Sequence, residues 1–373
     1  MDVLAWLEEW SRRTPRHSDG SILGSMTTQP HPTAVKAFTE FIHVNGNDPV
    51  VFPVVREALE ILVKGVGGLI KAQHGLYTSG GTESNILALY VARKLRGGET
   101  NTVVAPSTVH ASVDKACALL GCRLVKIPVD PLKPVDPAVL EEYVRKYKPF
   151  AVVVTAGTTE TGVVDPVREA GELAEEYNIY LHLDAAYGGL LIPFLYRRGY
   201  LSVDLKMYPG VSSISVDMHK NGGSPIPSGL LFFSEERLLE EACFNMDYMP
   251  SSRSCGLLGT RPGGAIIAAA AAYMATGVEG YEKNAVEMME NSLYLYKGLI
   301  EVPGLVAYKP ILPINVFKSS LYSYEELLRM LFERRLYLYK SPSLKALRVV
   351  VAPHVTRSHL DKLINTLREI HSL

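Results

Sequence analysis

Six short β-rich runs, at 102–105, 123–127, 151–155, 180–183, 212–216 and 229–233, punctuate the first two thirds of the chain. Helical or turn-rich segments of crossover length lie between most of them. Several runs are apolar on both faces, so the pattern predicts a mostly parallel sheet covered by helices on each side. Such sheets bind ligands at the carboxyl ends of their strands, and the residues just after each run are therefore where chemistry is expected.

A length of 373 residues suits one large domain plus a smaller one. Residues 1–55 read as an N-terminal arm: 21–32 is rich in turn formers, and Val35, Phe38 and Phe41 lie at helical spacing within 33–43. Residues 56–280 read as a large α/β domain with helices at 55–70 and 86–95. A long helical region begins at Pro262-Gly-Gly, runs to about 299 and is interrupted near 277–280. Short runs at 305–308, 315–318, 336–339 and 346–351, with helices at 324–334 and 356–372, make 281–373 a small C-terminal α+β domain.

A formal net charge of −1 gives no footprint for nucleic acid and no attraction to an anionic membrane. The first 13 residues carry acids and Trp6 where a leader would carry a basic segment and an apolar core, which predicts a cytoplasmic protein. Cys117, Cys122, Cys243 and Cys255 show no CxxC pairing and no His at metal-ligand spacing. They read as core thiols in a reducing compartment, with no metal expected. Glutamine occurs only twice, at Gln29 and Gln73, a depletion of thermolabile amides that points to a thermophile.

The run 213–216 is followed by Asp217-Met218-His219-Lys220 and then by Asn-Gly-Gly. A strand there delivers a lysine amine to the lip of the sheet, and a partly desolvated lysine is a nucleophile toward carbonyls. Taken alone, the same pattern is a strand ending in a solvated lysine. Gly80-Gly81-Thr82-Glu83-Ser84 enters a helix, where glycines admit an anion and free N–H groups hold it. It matches neither GxxxxGK[ST] nor GxGxxG, which favours a single phosphate on a small cofactor over a nucleotide. A capped helix is the plainer account of that stretch. Asp184 closes the run Tyr180-Leu-His182-Leu, and small Ala186 lies two residues on. A buried carboxylate needs a partner, and a protonated pyridine nitrogen would be one. His110 opens a helix after run 102–105, where an imidazole could stack on a ring. Thr155-Ala-Gly-Thr-Thr159-Glu-Thr-Gly is a hydroxyl-rich strand-end loop. His31 reads as a loop-packing histidine.

The conjunction, in that order along the chain, resembles the group II decarboxylases that use pyridoxal phosphate (PLP), and within them the archaeal tyrosine/aspartate decarboxylases. The resemblance rests on Gly24-Ser-Met-Thr-Thr-Gln-Pro-His-Pro, Thr78-Ser-Gly-Gly-Thr-Glu-Ser-Asn, Val109-His-Ala-Ser-Val-Asp-Lys-Ala and Thr155-Ala-Gly-Thr-Thr-Glu-Thr-Gly. It extends through His182-Leu-Asp-Ala-Ala-Tyr-Gly-Gly, Asp217-Met-His-Lys, Gly259-Thr-Arg-Pro-Gly and Leu347-Arg-Val-Val-Val-Ala-Pro-His-Val-Thr. It implies the α/β fold of the PLP-dependent transferases (fold type I, that of aspartate aminotransferase). By resemblance, Lys220 would hold PLP covalently, Asp184 would pair with its ring nitrogen, His110 would stack on the ring and Ala186 would pack beneath it. Gly81, Thr82 and His219 would hold the phosphate, Thr159 would contact substrate or ring hydroxyl, and Arg348 would clamp a substrate carboxylate. Tyr248 would help to protonate the product carbon. The family implies a homodimer with the active site at the interface, Thr260 and Arg261 reaching across it.

The implied reaction is decarboxylation of a small-molecule L-amino acid, with aspartate to β-alanine for coenzyme A ahead of tyrosine to tyramine. Met218 stands where such decarboxylases usually have Pro. Ser-Val-Asp-Met-His-Lys with its Asn-Gly-Gly turn also resembles the C–C lyases of phosphorylated long-chain bases. A PLP synthase acting on tRNA-linked amino acids would call for a basic face and catalytic cysteines.

Overall fold

The structure is a computed structural model that describes residues 2–98 and 100–372. It divides into two compact units, Pro30–Val286 and a second that combines Met1–Gln29 with Glu287–Leu373. The 1–55 arm read from sequence is therefore shared between the two. Leu23 is the reason: it is fully buried in the core of the second unit, and its N–H donates to the Tyr337 carbonyl.

In the large unit a seven-stranded sheet has the order β1-β7-β6-β5-β4-β2-β3. The strands are β1 (His74–Thr78), β2 (Thr102–Pro106), β3 (Arg123–Ile127), β4 (Ala151–Thr155), β5 (Tyr180–Asp184), β6 (Val211–Val216) and β7 (Gly229–Phe233). Only β7 runs against its neighbours. The crossovers include α1 (Gly81–Arg96), α2 (Ala111–Leu120), α3 (Pro137–Tyr147) and α4 (Val167–Glu176). Strands β4, β5 and β7 are buried at every position, because helices cover both faces of the sheet. The mostly parallel α/β architecture is the one read from sequence.

Strand β1 was not legible. His74-Gly-Leu-Tyr-Thr carries no clean alternation, and its Gly75 is needed because a Cβ there would meet the Phe232 ring at 2.8 Å. A small hairpin, β8 (Cys243–Asn245) with β9 (Arg253–Cys255), was also missed. It carries a correction. Cys243 and Cys255 are bonded as a disulfide, and only Cys117 and Cys122 are free thiols among the described residues. The pair face each other in the antiparallel register, which brings together side chains twelve positions apart in sequence.

The long helix Gly263–Ile300 contains a break at Gly277, whose φ of 63° is left-handed. In the second unit, Leu305–Tyr308, Ile314–Ser319, Ala346–Val350 and Tyr339–Ser341 form an antiparallel sheet in that order. Leu327, Leu331, Leu360, Leu363 and Leu367, at helical spacing, bury the apolar faces of its two helices. Among the described residues no helix is long and apolar enough to cross a membrane.

Candidate active site

Strand β1 ends at Thr78, and the chain turns through Ser79 and Gly80 into α1. Gly80 has φ 141°, and a Cβ on it would stand 2.6 Å from His219 Cε1. A Cβ on Gly81 would stand 2.9 Å from that of Ala186, so backbone, imidazole and small side chain close on one another. No side chain caps the N-terminus of α1. Its first N–H groups, those of Gly81 and exposed Thr82 among them, remain free to bind an anion, with the helix dipole adding to the attraction. Glu83 is buried at 7% exposure and does not face that anion, since its carboxylate accepts from Ser79 N at 2.7 Å and Leu257 N at 3.2 Å.

Strand β6 delivers Asp217, Met218, His219 and Lys220. Lys220 Nζ lies 3.1 Å from Asp217 Oδ2, and His219 Nε2 lies 3.5 Å from the same oxygen. The Asp217 side chain is 2% exposed, and its Oδ1 is buried without a hydrogen-bond partner. His219 Nδ1 accepts Ser228 N–H at 3.1 Å, so its ring proton points toward Asp217. Burial pushes the His219 imidazole below its ordinary pKa, against the opposing pull of Asp217. Met218 is fully buried and donates its N–H to the Ser228 carbonyl, a bond that Pro could not make.

Asp184, at the end of β5, accepts from Asn85 Nδ2 at 2.7 Å, Ala186 N at 3.1 Å and Ser215 Oγ at 3.3 Å. Burial alone would raise its carboxyl. The Lys220 charge and the Asn85 and Ala186 donors instead hold it below the usual carboxylate range, so it is an anion at neutral pH. Asn85 also donates to Ser112 Oγ at 2.8 Å and accepts from His182 Nε2 at 2.8 Å. His110 caps α2, its Nδ1 accepting Ser112 N–H at 3.2 Å, and burial lowers its pKa.

Phosphate loop, Lys220, Asp184, Ala186 and His110 thus come from the carboxyl ends of β1, β6, β5 and β2. Sequence reasoning passed over Asn85, Ser112, His182, Ser215 and Asp217. Their signal was a polar residue inside an otherwise apolar strand or helix face, as His182 is in Tyr-Leu-His-Leu.

The remaining expected residues lie on other elements. Thr159 is half-buried in a strand-end loop where Thr158 and Thr161 hydroxyls bond each other at 3.0 Å and Thr161 donates to the Pro131 carbonyl. Tyr248 is 83% exposed on the β8–β9 turn, with its hydroxyl against Met246 Sδ. Thr260 is exposed, while the Arg261 guanidinium is held by its own chain at Asn47 Oδ1 (2.6 Å) and Ser254 Oγ (3.2 Å). Arg348 belongs to the second unit, buried on its sheet with the guanidinium over the Tyr339 ring. His31 caps the helix Pro32–Glu40 and donates its N–H to the carbonyl of Gly223, in the turn that follows Lys220.

The donor set fits PLP. It supplies a glycine cradle with free N–H groups for one phosphate, an anionic carboxylate for a protonated pyridine nitrogen, a small residue beside it and a lysine amine. Residues 64–317 match the model of the pyridoxal-dependent decarboxylase conserved domain. The L-tyrosine/L-aspartate decarboxylase of Methanocaldococcus jannaschii is 34% identical, the match covering 99% of this chain and 96% of that one. The L-aspartate decarboxylase of Thermococcus kodakarensis is 35% identical over the same shares. In fold, the chain is similar to a sphingosine-1-phosphate lyase of Burkholderia pseudomallei, with a TM-score of 0.88, 24% identity and 99% and 90% of the two chains covered. With its lysine, its anionic aspartate and its phosphate cradle at one edge of the sheet, the chain belongs to the pyridoxal-dependent decarboxylase family and is a PLP-dependent amino-acid carboxy-lyase.

Proposed function

We propose that the chain decarboxylates L-aspartate to β-alanine, a precursor for coenzyme A, with L-tyrosine as the competing substrate. The observation that carries the decarboxylase reading is the Asp184 carboxylate, buried yet anionic, on the same sheet edge as Lys220. The names of the Thermococcus and Methanocaldococcus relatives favour these two substrates.

PLP, when bound, supplies a conjugated ring that accepts the electron pair of the bond between Cα and the carboxylate. Lys220 Nζ would anchor the cofactor. Asp184 keeps the ring nitrogen protonated, which strengthens the electron sink. Gly81, Thr82 and His219 hold the phosphate, Ala186 leaves room for a flat ring, and His110 covers its outer face. Thr159 approaches from the β4 loop. Tyr248 and Thr260 act from exposed segments, Tyr248 as donor of the proton that Cα takes up and Thr260 across a homodimer interface. Sedimentation at monomer mass under working conditions would remove the dimer from this account.

The deciding experiment is to load the chain with PLP, offer a panel of L-amino acids and identify amines by mass spectrometry. β-Alanine from aspartate supports the reading, and a rise in aspartate KM in Arg348→Ala would give that arginine its role. Tyramine alone would move the pocket to an aromatic substrate. No amine at all, with PLP trapped by borohydride on Lys220, would refute decarboxylation and turn attention to phosphorylated C–C lyase substrates.

A further inference from the structure

A backbone N–H can only donate. Ser112 N donates to His110 Nδ1 at 3.2 Å, so that nitrogen is bare and the neutral ring carries its proton on Nε2. The Ser112 hydroxyl, 2.9 Å from the same bare nitrogen, must then donate to it as well. Its oxygen is left to accept, and it accepts from Asn85 Nδ2 at 2.8 Å. The other proton of Asn85 Nδ2 goes to Asp184 Oδ2 at 2.7 Å. Asn85 Oδ1 consequently faces two donors, His182 Nε2 at 2.8 Å and Ser215 Oγ at 3.3 Å. His182 Nδ1 takes the Ser213 hydroxyl proton at 2.8 Å, and burial keeps this imidazole neutral, with its pKa pushed down to about 4. Ser215 apart, whose Oγ lies 3.3 Å from both Asn85 Oδ1 and Asp184 Oδ1, each member has one allowed role. Turning any of them over breaks at least two bonds in a buried site.

We infer that Asn85 and Ser112 are positioning residues whose directed hydrogen-bond chain, anchored on the Asp184 carboxylate, fixes His110 as a neutral donor at Nε2. The inference rests on the proposal that His110 covers the PLP ring. It adds a reason for the imidazole to be neutral there. A cation would hold the substrate carboxylate more tightly in the ground state and oppose its loss. A neutral N–H orients the group while the Cα–carbon bond breaks, its electron pair stays with Cα and the cofactor ring, and neutral carbon dioxide departs. The charged groups that act on His110 are Asp184, Lys220, Asp217 and Lys115, two of each sign. With these charges opposed, burial and the two bonds at Nδ1 together keep the ring neutral.

The test is ring nitrogen-15 spectroscopy of labelled histidines in the full chain, with and without PLP, followed through a pH titration. His110 should show the Nε2–H pattern and resist protonation. Ser112→Ala should raise its proton affinity about fivefold, the worth of one neutral hydrogen bond, and Ser112→Thr should restore it. Asn85→Leu should move it in the same direction. A proton found on His110 Nδ1 in the parent, or a Ser112→Ala titration that overlays it, would overturn the inference. If the spectra are as expected and no amine is produced, the functional reading falls and the tautomer assignment stands.

Discussion

Replacing Asp184 with alanine separates the role of this carboxylate in the fold from its role toward PLP. Asn85 Nδ2 and the Ala186 N–H lose their acceptor in a site only 5% exposed, while the Ser215 hydroxyl keeps Asn85 Oδ1 at 3.3 Å. Each orphaned group costs about 1–3 kcal/mol. Against that stands relief from burying an anion, worth several kcal/mol. The two nearly cancel, so the chain without PLP should change in stability by no more than about 2 kcal/mol in a denaturant melt. Cofactor affinity has no such offset. Breaking a buried charge pair by deleting one partner costs about 3–5 kcal/mol, which corresponds to a loss of about a hundredfold to a few thousandfold. An absorbance titration with PLP, checked by equilibrium dialysis, reads this directly. A variant that stays folded and binds PLP within about threefold of the parent would refute the pairing of Asp184 with the ring nitrogen.

Other perturbations have defined outcomes. Gly80→Ala forces a side chain into a left-handed backbone and onto His219, at a cost of about 1–3 kcal/mol. It should weaken PLP at least tenfold while leaving the binding of unphosphorylated pyridoxal nearly unchanged. Burial pushes the Asp165 carboxyl up to about 6 from 3.8. A raised folded-state pKa means that its stabilising contribution is full below the unfolded value and lost as pH rises through the folded one. Between about pH 4 and 6, Asp165→Asn should therefore gain roughly 3 kcal/mol on the parent in parallel melts. Reducing the Cys243–Cys255 bond releases a loop of this length at a cost of about 3 kcal/mol. Proteolysis between those residues should accelerate in thiol, and Cys243→Ser should behave as the reduced parent does.

Apart from β1, the strands of the large sheet were legible because they are largely apolar and evenly interrupted, which leaves few other topologies. Lys220 and Asp184 were proposed from the ends of two such strands, and Gly81 from a glycine pair entering a helix. Asn85 and Ser112 were not. A polar residue near a helix start is normally a cap or a solvated face, and only the packing of α1 against β5 and α2 turns both inward. Cys243 and Cys255 were missed because a pairing twelve residues apart depends on a hairpin that Cys-Phe-Asn and Arg-Ser-Cys barely suggest. The bond from Arg261 to Asn47, 214 positions away in sequence, could not be foreseen.

The disulfide sits at the foot of the β8–β9 hairpin, so the segment bearing Tyr248 is a closed hoop of chain. A hoop fastened at its base can tilt as a stiff lever, but it cannot unroll. For the proton transfer to Cα proposed for Tyr248, that trade would give up reach and gain aim.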